Sequence, residues 1–178
     1  MHFSIQPVLE DQEYQLIPLQ QGDFESLYEV ASDPDVWKQH PNKDRYRREV
    51  FQNFFRGAME SKGAFKIVEK ASGEILGSSR YYDYDENTSR IFIGYTFYGT
   101  KSWGTGINSK IKKLMLEYIF QFVDRVHFHV GKDNIRSRKA MEKLGAKNIA
   151  EQEVAYFGEP SRTNIVYEIK KENRYEKI

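Results

Sequence analysis

The chain contains no cysteine. That excludes a disulfide framework, a thiolate nucleophile and a cysteine-based zinc site. No apolar run approaches the roughly 20 residues that a membrane-spanning helix needs. The first residues, MHFSIQPVLEDQEYQL, lack the basic start and apolar core of a secretory signal. Neither sign of charge dominates, because 27 Lys and Arg stand against 26 Asp and Glu. The balance gives no reason to expect a bulk nucleic-acid or anionic-membrane binder. There is no internal repeat and no low-complexity linker. The expectation is a soluble, cytoplasmic protein.

What is present is enough for one domain spanning 1–178, able to bury a core without staples. Aromatic residues make up 15% of the chain, mostly Tyr and Phe, which argues against disorder. EYQLIPLQ, Glu13 to Gln20, predicts a short strand. GDFESLYEVAS predicts a helix capped by Asp23, and Pro34 in SDPDVW suits a further helix start. RREVFQNFFRGAMES places Phe51, Phe54, Phe55, Ala58 and Met59 on one stripe, with Gly63 as a stop.

The period then changes. AFKIVEKASGEILGSSRYYDYD predicts strand, turn and strand, and RIFIGYTFY a third strand after the turn DENTSR. Three strands with short turns imply an antiparallel meander. Ile107, Ile111, Leu114, Met115, Tyr118, Ile119 and Phe122 restore the helical period. DRVHFHV follows as a strand and DNIRSRKAMEKLG as a helix, capped by Asp133 or Asn134 and ended by Gly145. AKNIAEQEVAYF and RTNIVYEIK close the chain as two strands around GEPS. The strand–helix–strand passage from Arg90 to Val130 demands a crossover, which makes its two strands parallel neighbours. The expected fold class is α/β, a mixed, mostly antiparallel sheet of about seven strands with helices on both faces.

Between the third strand and its helix lies KSWGTGINSK. The first N–H groups of a helix lack intrahelical partners and suit an anion, above all a phosphate. Gly104, Thr105, Gly106, Ile107, Asn108 and Ser109 can therefore form a cradle for a diphosphate, although a glycine pair before a helix is also an ordinary turn. GTGINS is neither G-x-x-x-x-G-K-[ST] nor G-x-G-x-x-G, and VHFHVGK has no acidic residue for a ribose. Walker and Rossmann routes to the phosphate are thereby set aside.

IGYTFYGTKSWGTGINSKIK followed by DRVHFHVGKDNIRSRKAMEKLGA resembles the acetyl-CoA site of the GNAT superfamily of N-acetyltransferases, in particular its RimJ/RimL-like branch. That superfamily's pyrophosphate loop runs R/Q-x-x-G-x-G/A, and the branch often starts it W-G-x-G, as Trp103 to Gly106 does. Asn134, Ser137, Ala140 and Gly145 match the helix motif N-x-x-S-x-x-A-x-x-x-x-G. The resemblance implies an enzyme that transfers the acetyl group of acetyl-CoA directly to an acceptor primary amine, on a protein N-terminus or a small molecule. It implies no metal, and a splayed parallel strand pair holding the coenzyme. By the same resemblance the strand backbone at Thr96, Phe97 and Tyr98 pairs with the pantetheine arm. The N–H groups from Gly104 to Ser109 hold the pyrophosphate, and Asn134 bonds the pantetheine region. Ser137 offers its hydroxyl to the coenzyme sulfur, and Lys139, or an arginine beside it, meets the distal phosphate. Relatives often carry a glutamate two residues before the I-G-Y glycine; here that position is Phe92.

Each of these residues also has a plainer role. Ser137 is equally an exposed helix-start serine, and Asn134 a simple N-cap. Trp103 can stack on ligand or pack the loop against the helix. His127 and His129 share one face of their strand, opposite Val126, Phe128 and Val130. They read as polar positions on a sheet face or as a metal pair, for which no third ligand is evident, with His129, nearer the strand's C-terminal end, a candidate base. Tyr81, Tyr82, Tyr84 and Tyr95 can line an acceptor pocket or pack across strands. The basic cluster KDRYRREV can meet an acidic acceptor or RNA, with a solvated helix face as the default. The loss of the acid at Phe92 keeps a non-catalytic acyl-CoA-binding module as the alternative. The acceptor and the oligomeric state, a homodimer included, stay open.

Overall fold

A computed structural model describes residues 1–156 and 158–173. Eight strands form one sheet: β1 (Leu9–Glu10), β2 (Tyr14–Pro18), β3 (Ala64–Glu69), β4 (Ile75–Asp85), β5 (Arg90–Tyr98), β6 (Arg125–Gly131), β7 (Lys147–Ala155) and β8 (Ser161–Lys170). Among the described residues four α-helices accompany them, with short 3-10 turns between: α1 (Phe24–Ala31), α2 (Arg48–Ser61), α3 (Ile107–Ile119) and α4 (Ile135–Lys143). The strand order is β1-β2-β3-β4-β5-β6-β8-β7. Only β5 and β6 run parallel. The strand beyond the expected seven is β1, too short to show a period. Phe157, the last residue of AKNIAEQEVAYF, lies outside the described residues.

Two cores lie on opposite faces of this sheet. On one, α3 and Met141 of α4 cover Phe65, Ile67, Tyr81, Ile91, Ile93, Phe128 and Val130. On the other, α1 and α2 pack Leu27, Phe51, Phe54 and Phe55 with Trp37, Ala64 and Phe97. Ile91 and Ile93 face α3, yet Phe97 faces α2. The parity switches because Ser78 pairs with Phe97 while Arg80 pairs with Gly94, so Tyr95 and Thr96 together oppose Ser79. This bulge holds Tyr95 at φ 54°, a conformation rare for an aromatic residue.

Several local expectations are corrected. Asp23 stands at the N-cap position of α1, as expected, but its side chain makes no cap bond there. It closes a capping box one turn earlier, accepting from Gln20 N at 2.8 Å, and pairs with Lys66. Gly63 does not supply the left-handed turn after α2; Lys62 does, at φ 52°. Gly63 is required instead because a Cβ there would lie 2.1 Å from Tyr81 O. Lys112 and Leu116 join the buried stripe of α3, whereas Phe122 is exposed and stacks on Phe3.

Candidate active site

β5 and β6 pair only at Arg90–Arg125, Ile91–Val126 and Phe92–His127. Beyond that point the strands part, and the bulge at Tyr95 bends β5 further away. The gap is a cavity of about 470 Å³ that reaches both faces of the sheet. Of the residues expected at the site, Thr96, Phe97, Tyr98, Trp103, Gly104, Gly106, Ile107, Asn108, Ser109, His129, Asn134, Ser137 and Lys139 all line it. Thr105 does not, and its hydroxyl donates to Ser102 O at 2.6 Å.

One end of the cavity is built from the start of α3. Gly104 and Gly106 adopt φ 74° and 82°, and a Cβ on either would meet nothing within 4 Å. The glycines are thus demanded by backbone conformation and leave open space in front of the helix. Gly106 caps α3 without any side-chain acceptor, so the first-turn N–H groups stay available. The Asn108 side chain accepts from Tyr98 Oη at 3.0 Å. Trp103 packs across the cleft rather than against α3. Its ring lies 3.9 Å from the Arg136 guanidinium, and its indole donates to Tyr98 O at 3.2 Å. That indole occupies one of the backbone oxygens expected to meet the pantetheine arm.

The start of α4 forms the facing wall. Asn134, 3% exposed, is the N-cap, its Oδ1 accepting from Ser137 N at 3.2 Å. Asp133 does not take that place. Arg138 turns away to Lys132 O and Tyr167 Oη, leaving Lys139 at the cavity mouth. The described lining residues include Arg45, Lys112, Arg136, Lys139 and Lys143 but no Asp or Glu. The cavity therefore suits an anionic ligand.

The other end is aromatic. Tyr95 and Tyr156 meet edge to face at 5.0 Å. Arg45 lies between the rings of Trp37, Phe54 and Tyr156 and makes a bidentate pair with Glu159, both bonds 2.8 Å. Its side chain is only 4% exposed, which overturns the solvated-face expectation for this part of KDRYRREV. Of the four tyrosines proposed for a pocket, only Tyr95 lines the cavity. Tyr81 donates to Met115 O in the α3 core, and Tyr84 packs on Phe3.

His129 sits at this end. Its Nδ1 is 3.1 Å from Tyr82 Oη, its Nε2 is buried, and the Gln152 side chain also interacts with the ring. Phe92 stacks on its ring, and burial holds the imidazole below its usual range. His127 lies on the same strand face as expected but is engaged by Glu168 at 2.7 Å. His40, which also lines the cavity, is pushed down to about 3 by burial, with Arg45 and Arg136 adding to the effect. Among the described residues no cluster of three His, Asp or Glu could hold a metal.

Sequence reasoning passed over His40, Lys112 and Tyr156, and took Arg45 only as part of the basic cluster KDRYRREV. Lys112 alone carried a signal, since it lies four residues after Asn108 and four before Leu116 on the inner side of α3.

Comparison with known proteins follows the same line. The sequence profile of the acetyltransferase (GNAT) domain matches residues 14–147. A Bacillus licheniformis protein described as uncharacterized N-acetyltransferase p20 is 27% identical over 129 residues, 68% of this chain and 72% of its own. A GCN5-related N-acetyltransferase from Brucella melitensis superposes with a TM-score of 0.78 at 17% identity, covering 96% of this chain and 81% of its own. RimJ of Mycobacterium smegmatis, solved in complex with CoA-disulfide, gives a TM-score of 0.71 at 16% identity, covering 94% and 87%. These superpositions show a shared fold, and the profile extends over well more than half of the chain. The chain belongs to the GNAT acetyltransferase family and is an enzyme of that class.

Proposed function

We propose that this acetyltransferase uses acetyl-CoA and delivers its acetyl group directly to a primary amine, on a protein N-terminus or a small molecule. We also read the chain as one cytoplasmic domain, 1–178, of RimJ/RimL-like type. The W-G-x-G start of the loop at Trp103 and the superposition on RimJ support that branch. One observation carries the functional reading. A single cavity joins the open N-terminus of α3 to His129 through the splayed strands.

Acetyl-CoA supplies the acetyl group as an activated thioester. The residues fit such a ligand: the space before Gly104 and Gly106 at the start of α3 is open, and the charged residues lining the cavity are cationic. Thr96, Phe97 and Tyr98 offer backbone on an edge of β5 that has no strand partner there. Asn134 and Ser137 flank the cleft from α4, and Lys139 meets phosphate at its mouth. His129, which lines the cavity, takes the acceptor's proton. Ser137 Oγ gives a proton to the departing sulfur. Holding two reactants together in one cleft lowers the barrier without a covalent nucleophile. That suits a chain lacking cysteine.

Thiol release from acetyl-CoA in the presence of an amine panel tests this reading. A matching amine gives turnover, and Ser137→Ala slows it while leaving coenzyme affinity within about twofold. Acetyl-CoA binding with no thiol release for any amine of the panel would contradict direct transfer to a primary amine.

A further inference from the structure

The buried face of α3 consists of Ile107, Ile111, Met115, Leu116, Ile119 and one lysine, Lys112. Lys112 is 2% exposed and lines the cavity. Its Nζ donates to Thr96 Oγ1 at 2.8 Å, and that hydroxyl is itself 2.8 Å from Ser79 Oγ. Both partners are neutral. Among the described residues no carboxylate pairs with it. An ammonium has three N–H donors, and Thr96 accepts one. Burying such a group without a counter-charge is costly, and a leucine or methionine would fill the same position on the stripe.

Its place along the helix suggests what the remaining donors meet. Lys112 lies five residues beyond Ile107, about 7.5 Å along the axis from the first turn. A diphosphate at that first turn leaves the following part of the coenzyme, the pantetheine arm, to pass deeper into the cleft along Thr96. That arm is uncharged and rich in oxygen acceptors, two amide carbonyls and a hydroxyl. We propose that Lys112 is a binding residue for the pantetheine arm, donating its free N–H groups to one of those oxygens. The inference rests on the acyl-CoA reading given above. Burial also draws the lysine down to about 7, so an added acceptor stabilises its charged form.

Calorimetric titration with two probes tests this. CoA carries the arm, and ADP carries the diphosphate without it. Lys112→Met is expected to weaken CoA binding on the order of tenfold or more, the usual effect of losing a charged hydrogen bond. ADP binding should stay within about twofold, and Lys112→Gln, an uncharged donor, should fall between for CoA. Thermal melts check folding, and removal of a buried charge should leave Lys112→Met at least as stable as the wild type. Unchanged CoA affinity in Lys112→Met, or equal losses for CoA and ADP, would reduce Lys112 to a tie between α3 and β5. Loss of folding in both variants would do the same. A wild type that binds neither probe would remove the acyl-CoA reading itself, a result separate from either variant pattern.

Discussion

The rings of Phe92 and His129 stack with centroids 4.4 Å apart and planes inclined by 24°. Phe92 thus covers the candidate base. A neutral imidazole is the form that accepts a proton, and burial lowers the pH at which it is lost. The acidic limb of the pH–rate profile should therefore lie below the ordinary value of about 6.5. In Phe92→Leu, which removes the stacked ring, the limb should move upward toward 6.5. His129→Gln should lower kcat on the order of 10²–10⁴-fold with little change in coenzyme Kd. A wild-type limb at or above 6.5 would disqualify His129 as the base.

Arg45 and Glu159 form a buried pair, each side chain 4% exposed. Removing one partner strands the other charge. Glu159→Gln is expected to cost about 3 kcal/mol in urea unfolding, because the guanidinium stays caged by Trp37, Phe54 and Tyr156. The double variant Arg45→Met, Glu159→Leu should lose less than Glu159→Gln alone. If Glu159→Gln costs under about 1 kcal/mol, the pair is not holding this end of the cavity.

His40, half-buried where it lines the cavity, should make stability depend on acid. Its folded value, about 3, lies below the unfolded one. As pH falls below about 6.5, the unfolded chain binds a proton that the folded chain refuses. Stability is therefore full above 6.5 and declines toward pH 3, by at most about 1.4 kcal/mol per pH unit from this group. Urea midpoints at pH 7 and pH 5 should differ less in His40→Gln than in the wild type. Equal differences in the two proteins would show that His40 does not cause the decline.

Much of this fold is legible in the sequence because turns and apolar periods mark its elements. The meander, the crossover at Arg90–Val130 and the helix from Ile107 follow from those signals. The splay is not legible, since it depends on the register shift that sets Tyr95 and Thr96 against Ser79. No local preference announces a tyrosine at φ 54°. Arg45 and Lys112 escaped for a related reason. A basic residue in a polar or amphipathic stretch is ordinarily solvated, and only tertiary packing buries these two. Tyr156 comes to Tyr95 from 61 residues further along the chain, a distance in sequence that no short motif spans. The loop and the start of α4 were legible because their glycines and cap are local requirements, met at Gly104, Gly106 and Asn134.

The central claim is that the open start of α3 holds the diphosphate of acetyl-CoA. Calorimetric titration of the wild type and of Gly106→Trp with acetyl-CoA tests it most directly. Gly106 sits at φ 82° with open space before it, so tryptophan both strains the turn and fills the approach. The account predicts micromolar-range binding by the wild type that is lost in the variant while the protein stays folded. Absence of binding by the wild type, or equal binding by a folded Gly106→Trp, would contradict it.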